Sequence, residues 1–413
     1  MLIRLTIRAL KSPAYFLRVR ERFGYYKSPP GTYKIWIHAV SVGEVNAAGP
    51  LARELQRLYP NEKILLTTMT PTGADQARIS FGERIDHLYL PYDYPFAVRR
   101  FINRIQPKLA IMMETEIWPN FIARCHKQNI PLVIANLRLS DRSFRQYKKF
   151  SFISRPVFRK IAHFAVQTNA DSKRIRAITK SPNNITVTGN IKFEVNLPAS
   201  LLEVAQVVRR EWGTNRTILV AGSTHEGEEE ILLQVFIRLK KHHADLLLVL
   251  VPRHPERFDS VYKLIAKYKL LCSRRSTNHI ISDAGIDVHL GDTMGELPTF
   301  YAASDIAFVG GSLVKIGGHN ILEACALGKP VVFGKYMFNF LEISRMTLEQ
   351  NAGIQVNDIT ELENELTRLI DDPSYRYSYG EEGIKLIKNN QGSLSNTIKA
   401  IQHLLPKTRV NNL

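Results

Sequence analysis

KIWIHAV (34–40) followed by VNAAGPLARELQRLY (45–59), and KILLTTMT (63–70) followed by GADQARISF (73–81), carry the reading of the fold. Each pair sets a short, continuous apolar run before a segment whose apolar residues recur at helical spacing. That is the pattern of a strand buried on both faces and crossing over through a helix. The rhythm continues through HLYLPYD (87–93) with PFAVRRFINRI (95–105), LAIMMETE (109–116) with PNFIARCHKQN (119–129), PLVIANL (131–137), FAVQTNAD (164–171) and ITVTGN (185–190). It loses its strands across NLPASLLEVAQVVRREW (196–212), then restarts with TILVAGST (217–224), LLLVLVPRHP (246–255), VHLGD (288–292), IAFVGGS (306–312) and KPVVFG (329–334). The expectation is an α/β chain of two Rossmann-like domains facing an interdomain cleft. Domain boundaries are expected at 1–196 and 214–413, joined by a linker over 197–213. The final helix has the option of crossing back to the first domain.

Length fits this division, since 413 residues exceed what one ordinary core accommodates. The composition, 45% hydrophobic and 23% charged, is that of a chain that folds throughout. A formal net charge of +18 implies polyanionic partners: nucleic acid, anionic headgroups or a phosphorylated substrate. In the first thirty residues Arg4, Arg8, Lys11, Arg18, Arg20, Arg22 and Lys27 face only Glu21 and are interleaved with Leu2, Ile3, Leu5, Ile7, Leu10, Phe16 and Val19. This amphipathic basic segment is suited to the interface of an anionic bilayer. No apolar run is long enough to span one, and no signal-peptide pattern opens the chain, so a peripheral, cytoplasmic location is expected. Cys125, Cys272 and Cys325 are odd in number and far apart, which argues against a disulfide framework and a zinc knuckle.

Ligands in open α/β sheets sit at the carboxyl ends of the strands, so chemistry is sought in the loops that follow them. HAVSVGE (38–44) places Glu44 at the mouth of the first helix, with Gly43 expected to permit a tight turn; Glu44 is a candidate general base or a first-turn complement to the helix dipole. METEIWPN (113–120) ends the strongest apolar run, and strand alternation sends Glu114 and Glu116 to one side. GNIKFE (189–194) puts Lys192 at the exit of the last strand, either a cation for an anionic group or a solvated lysine.

In the second half Ser223 and Glu226 have the spacing of a capping box. His225 among its glutamates matches no zinc pattern, so a capped helix is the reading there and no metal is expected. VPRHPERF (251–258) projects Arg253 after Pro252, suited to bidentate phosphate contact, and GDTMGEL (291–297) offers Met294, Gly295 and Glu296 to a base or ribose. The run GGSLVKIGGHNILEACALGKPVVFG (310–334) has glycines for close backbone approach, then Asn320, Ile321, Leu322 and Glu323 where a helix starts. Nucleotide-sugar transferases of the GT-B type hold their donors in this manner.

These motifs, in unbroken order from RVRERFGYY (18–26) through TTMTPTGAD (67–75), GNIKF (189–193), STHEGEEE (223–230), GGHN (317–320) and FGKYMFNF (333–340), closely resemble the Kdo transferases of Gram-negative bacteria. That family moves 3-deoxy-D-manno-oct-2-ulosonic acid (Kdo) from CMP-Kdo to a lipid A precursor, lipid IVA. The resemblance implies Glu44 as proton acceptor, Glu114 and Lys192 as transition-state stabilisers, and CMP held by Pro252 and Arg253, by Met294 to Glu296 and by Asn320 to Glu323. It implies no metal or other cofactor, an acceptor at the cytoplasmic face of the inner membrane, and no nucleic-acid partner. Ile321 stands where the family usually has proline, Cys325 where it has small residues, and a shorter N-terminal anchor than the family's is expected. Two other readings stay open here. One is a transferase or epimerase of UDP-sugars, separated by preference for UDP over CMP; the other is a non-catalytic binder of nucleic acid or membrane.

Overall fold

The computed structural model describes residues 18–27, 31–180, 184–195, 197–277 and 285–405. The chain divides into two compact units, one of Met1–Glu194 with Asn390–Leu413, the other of Val195–Asn389. In the first, strands β1 (Ile35–His38), β2 (Ile64–Thr68), β3 (Asp86–Tyr89), β4 (Leu109–Met113), β5 (Leu132–Leu137), β6 (His163–Val166) and β7 (Ile185–Val187) form one sheet in the order β3-β2-β1-β4-β5-β6-β7. In the second, β8 (Ile218–Thr224), β9 (Leu247–Pro252), β10 (Cys272–Arg274), β11 (Val288–Leu290), β12 (Ile306–Val309), β13 (Val331–Gly334) and β14 (Ile354–Val356) run β10-β11-β9-β8-β12-β13-β14. Every neighbouring pair in both sheets is parallel.

Continuous apolar runs become strands here because helices cover both faces. Trp36, Ala110, Met112 and Ile134 point into one core layer, and Ile35, Ile37, Ile111 and Val133 into the layer opposite. A lone polar group in these layers needs a partner, and the Trp36 indole N–H donates to Thr67 Oγ1 at 2.8 Å. Turn chemistry sets the helix starts: Pro71 occupies the first turn of the helix Pro71–Phe81 while Thr70 Oγ1 accepts the Gly73 amide at 3.0 Å. Order reverses between β1 and β4, and again between β8 and β12, so each sheet has one switch point where two adjacent loops diverge.

One boundary differs from expectation. The stretch assigned as a linker over 197–213 contains the helix Leu201–Trp212, which belongs to the second unit. Leu201, Ala205, Val208 and Trp212 form its buried stripe, Trp212 lies 5.5 Å from the Phe300 ring, and Arg209 binds Asp305 at 2.8 Å. Emptying that site by Trp212→Ala would cost about 3–5 kcal/mol on general grounds. The helix Ser393–Ile401 packs on the first unit, where Glu194 accepts the Ser393 hydroxyl at 3.1 Å and the Leu394 amide at 2.9 Å. Among the described residues no helix is long and apolar enough to cross a membrane. Most of the basic N-terminal segment, residues 1–17, lies outside the described residues.

Candidate functional site

At the switch point of the first sheet, β1 leads into the helix Val42–Leu58 and β4 ends at Met113, so Glu44 and Glu114 flank the same gap. Glu44 Oε2 accepts the Val40 amide at 2.8 Å, which fixes the carboxylate over the helix mouth. Its pKa is pushed up to about 8, first by burial and then by the charge of Glu116, with the Val40 bond and Lys192 pulling the other way. Gly43 is helical, and a Cβ there would meet nothing within 4 Å. The expected tight turn is therefore absent, and the glycine leaves open space beside Glu44.

Glu114 does not continue the strand. It takes a left-handed φ of 54° while its amide still bonds Ala135 at 2.8 Å, so strand alternation ends one residue before it. The turn nevertheless keeps both acids near Glu44: Glu114 binds Lys192 Nζ at 2.6 Å, and Glu116 accepts the Trp118 indole N–H at 2.7 Å. Lys192 rides on a short turn built by asparagines. Asn136 Oδ1 accepts the Ile191 amide at 3.1 Å, and Asn190 Oδ1 accepts the Lys192 amide at 3.0 Å. Lys192 is thus an ion-paired cation within reach of Glu44 rather than a solvated surface lysine. Beneath them His38 is fully buried and held neutral, its pKa lowered by burial to about 3.

The second switch point is organised by a carboxylate that spacing alone did not single out. Glu228 Oε2 accepts the amides of Gly311 at 2.6 Å and His225 at 3.0 Å, and Oε1 accepts those of Ser312 and Leu313, both at 2.9 Å. It ties the loop after β8 to the loop after β12. Removing it strands four buried or part-buried amides, at about 1–3 kcal/mol for each. The expected Ser223–Glu226 capping box is absent: Ser223 has φ of 56°, Gly227 caps the helix Glu228–Lys240, and the carboxylate that bonds back is Glu228. The usable signal was the spacing from His225 to Glu228.

Around this clamp, the Arg253 amide donates to Thr224 O at 3.0 Å, so Pro252 and Arg253 leave β9 against the end of β8. Glu323 is pushed up by burial, while Asn320 and Arg253 pull it down, which places Arg253 and Glu323 in one neighbourhood. Asn320 organises its own loop, donating to Glu323 Oε1 at 3.1 Å and accepting the Leu322 amide at 3.2 Å, while Ile321 is fully buried. Gly317 and Gly318, with φ of 116° and 75°, donate to Gly311 O. A Cβ on Gly318 would lie 2.2 Å from the Met337 sulfur. His225 and His319 face each other at 2.8 Å between their Nε2 atoms, and His254 is 5.3 Å from His225 by ring centroids. Among the described residues no group of three or more His, Cys, Asp or Glu is arranged to hold a metal ion. Met294 is exposed, Gly295 has φ of 87°, and Glu296 is bound by Arg275 at 2.8 Å and by the Thr293 hydroxyl.

A carboxylate site at one switch point and a glycine-lined, cationic one at the other define a glycosyltransferase of two Rossmann-like sheets, the GT-B type. The protein-family model for glycosyl transferases group 1 matches residues 170–386. A solved glycosyltransferase from Rickettsia africae shares the fold at a TM-score of 0.50 and 16% identity, with 92% of this chain and all of that one covered. The chain belongs to the 3-deoxy-D-manno-octulosonic acid transferases. The model for that family's N-terminal domain matches residues 17–195. The Haemophilus influenzae transferase of that name is 44% identical over 97% of this chain and 94% of its own length. The Bordetella pertussis one is 34% identical over 96% and 92%.

Proposed function

We propose that this chain transfers Kdo from CMP-Kdo to lipid IVA, a lipid A precursor, in lipopolysaccharide biosynthesis, by single displacement with inversion. The observation that carries this reading is Glu44, desolvated beside the Glu114–Lys192 pair with one carboxylate oxygen anchored to Val40. A glucosamine hydroxyl of the acceptor attacks the anomeric carbon of Kdo while its proton passes to Glu44. The bond from that carbon to the CMP phosphate breaks, and CMP leaves. A carboxylate whose pKa is raised toward 8 is a stronger base than an ordinary glutamate, which is what abstraction from a sugar hydroxyl requires. Lys192, with Glu114 holding it, neutralises charge that develops at the reacting centre.

The donor side is proposed to bind CMP through Pro252 and Arg253, through the turn Met294–Glu296 and through Asn320 to Glu323. The leaving group is a phosphate monoester, and Arg253 supplies the positive charge it needs, so no metal or other cofactor is proposed. The acceptor is held at the cytoplasmic face of the inner membrane, whose anionic surface complements the +18 charge, and nucleic acid is not a partner. The test is transfer from CMP-Kdo, generated in place, to lipid IVA in detergent with EDTA, read by mass spectrometry. A gain of Kdo mass that Glu44→Gln abolishes supports the reading; no gain from folded enzyme overturns it.

A further inference from the structure

After β5 the chain forms two short helices, Asp141–Lys149 and Ser151–Phe158, joined at Phe150. Their inner side is anchored. Tyr147 and Phe158 pack edge to face at 5.1 Å, and the Ser154 hydroxyl donates to Tyr147 O at 2.7 Å. Arg155 and Arg159 each donate at 3.1 Å to the last carbonyls of the helix Asn169–Thr179. Their outer side is uncovered. The helix Asp141–Lys149 buries no residue, and Phe150, Phe152 and Ile153 are 50%, 75% and 59% exposed in succession around the joint. Three large apolar side chains side by side in water are unfavourable unless something covers them.

The surrounding charge says what does. Arg142, Arg145, Lys148 and Lys149 are exposed on the first helix, and its one acidic residue, Asp141, is bound to Arg174 at 2.6 Å. An apolar tip inside a collar of cations matches a bilayer interface, with acyl chains under the tip and anionic headgroups at the collar. A protein partner would have to present an acidic rim around an apolar socket.

We propose that the hairpin of residues 141–158 is an interfacial wedge that inserts Phe150, Phe152 and Ile153 into an anionic lipid surface. This rests on the reading of a lipid-held acceptor and adds the element that brings the chain to it. The wedge adjoins the chemistry within its own unit: the Tyr147 hydroxyl, at the anchored side of the hairpin, senses the charge of Glu116. A membrane engaged at the tip therefore delivers the acceptor beside the carboxylates.

The experiment uses the full chain with Phe152→Trp as a reporter and vesicles of phosphatidylcholine and phosphatidylglycerol at roughly seven to three. Insertion gives a blue-shifted emission quenched by bromine on the upper acyl chain, with little change on pure phosphatidylcholine. Phe152→Glu with Ile153→Glu should weaken flotation on the mixed vesicles about tenfold or more, and Lys148→Glu with Lys149→Glu should weaken it in a salt-dependent way. Both pairs lie on exposed positions, and circular dichroism checks that they fold. An emission from the Phe152→Trp reporter that is neither shifted nor quenched on vesicles that the protein binds overturns the proposal. So does a wild-type dimer in solution that Phe152→Glu with Ile153→Glu splits, because the tip then covers another copy. Transfer to lipid IVA in detergent separates the two readings: if it persists without insertion the wedge is wrong and the chemistry stands, and if insertion occurs without transfer the reverse holds.

Discussion

The two units use the same device for opposite purposes. Both are seven-stranded parallel sheets with one reversal of order, and they differ in layout in that β1 has two strands on one side and four on the other, whereas β8 has three on each, with β11 set between β9 and β10. Around the first reversal the loops after β1, β4 and β7 carry Glu44, Glu114, Glu116 and Lys192, the set proposed to move protons and balance charge. At the second, backbone amides, glycines and Arg253 predominate, and the buried acid Glu228 shapes the loops. One sheet end presents ionisable side chains, proposed to react, and the other main-chain groups, proposed to grip the donor. Mutations at the first should therefore strike turnover, and mutations at the second should strike donor affinity.

The largest expected effect follows from Glu44. Glu44→Gln should lower the transfer rate by about 10²–10⁴-fold while leaving the calorimetric affinity for CMP unchanged. A parallel loss of CMP binding would break the division of labour. Next, Lys192→Ala and Glu114→Gln should each lower turnover about a hundredfold, and the double variant should be little worse than either, because the two act as one pair. Arg253→Ala should weaken CMP protection against thermal unfolding about tenfold, with a smaller loss of turnover at saturating donor.

The smallest effects concern pH. As the proposed base Glu44 would work deprotonated, so the rate at low substrate should rise with pH and level off above its pKa of about 8. Because Lys192 pulls that pKa down, Lys192→Ala should move the rise to higher pH. Stability runs in the other sense. A carboxyl whose folded pKa lies above its unfolded value binds its proton more tightly when folded, so it stabilises fully below about 4.5 and loses that contribution as pH rises through about 8. Glu44→Gln should accordingly flatten the decline in melting temperature across that window; an unchanged slope would mean that Glu44 is less desolvated than its burial implies.

How much of this could be read from residues alone depended on whether periodicity carried it. The central strands are legible because both their faces are apolar, and Glu44, Glu114 and Lys192 because each follows a strand run, whereas β10 and β14, three residues each with polar members, carry no such signal. Trp212 was missed for the converse reason: Leu201, Ala205, Val208 and Trp212 form an ordinary helical stripe, but without an adjoining strand it was set aside as a join. The left-handed turn at Glu114 and the four amides on Glu228 are choices of backbone geometry with no periodic trace. Gly43 misled because glycine has two uses, permitting a turn and leaving room, and only its surroundings in the fold distinguish them. The exposure of Phe150, Phe152 and Ile153 on the hairpin has no signal in the sequence, which does not say which apolar residues go unburied.

The return of the helix Ser393–Ile401 to the first unit, pinned by Glu194, makes that unit discontinuous in the chain. In order of synthesis the second unit, a contiguous stretch, has all its residues joined while the first still lacks Leu394, Ile398 and Ile401 from its core layer. The half that carries the proposed base is begun first and finished last. A ribosome that stops short of this helix would release a chain whose second unit is whole and whose first unit has an open seam, and quality control would find its target there.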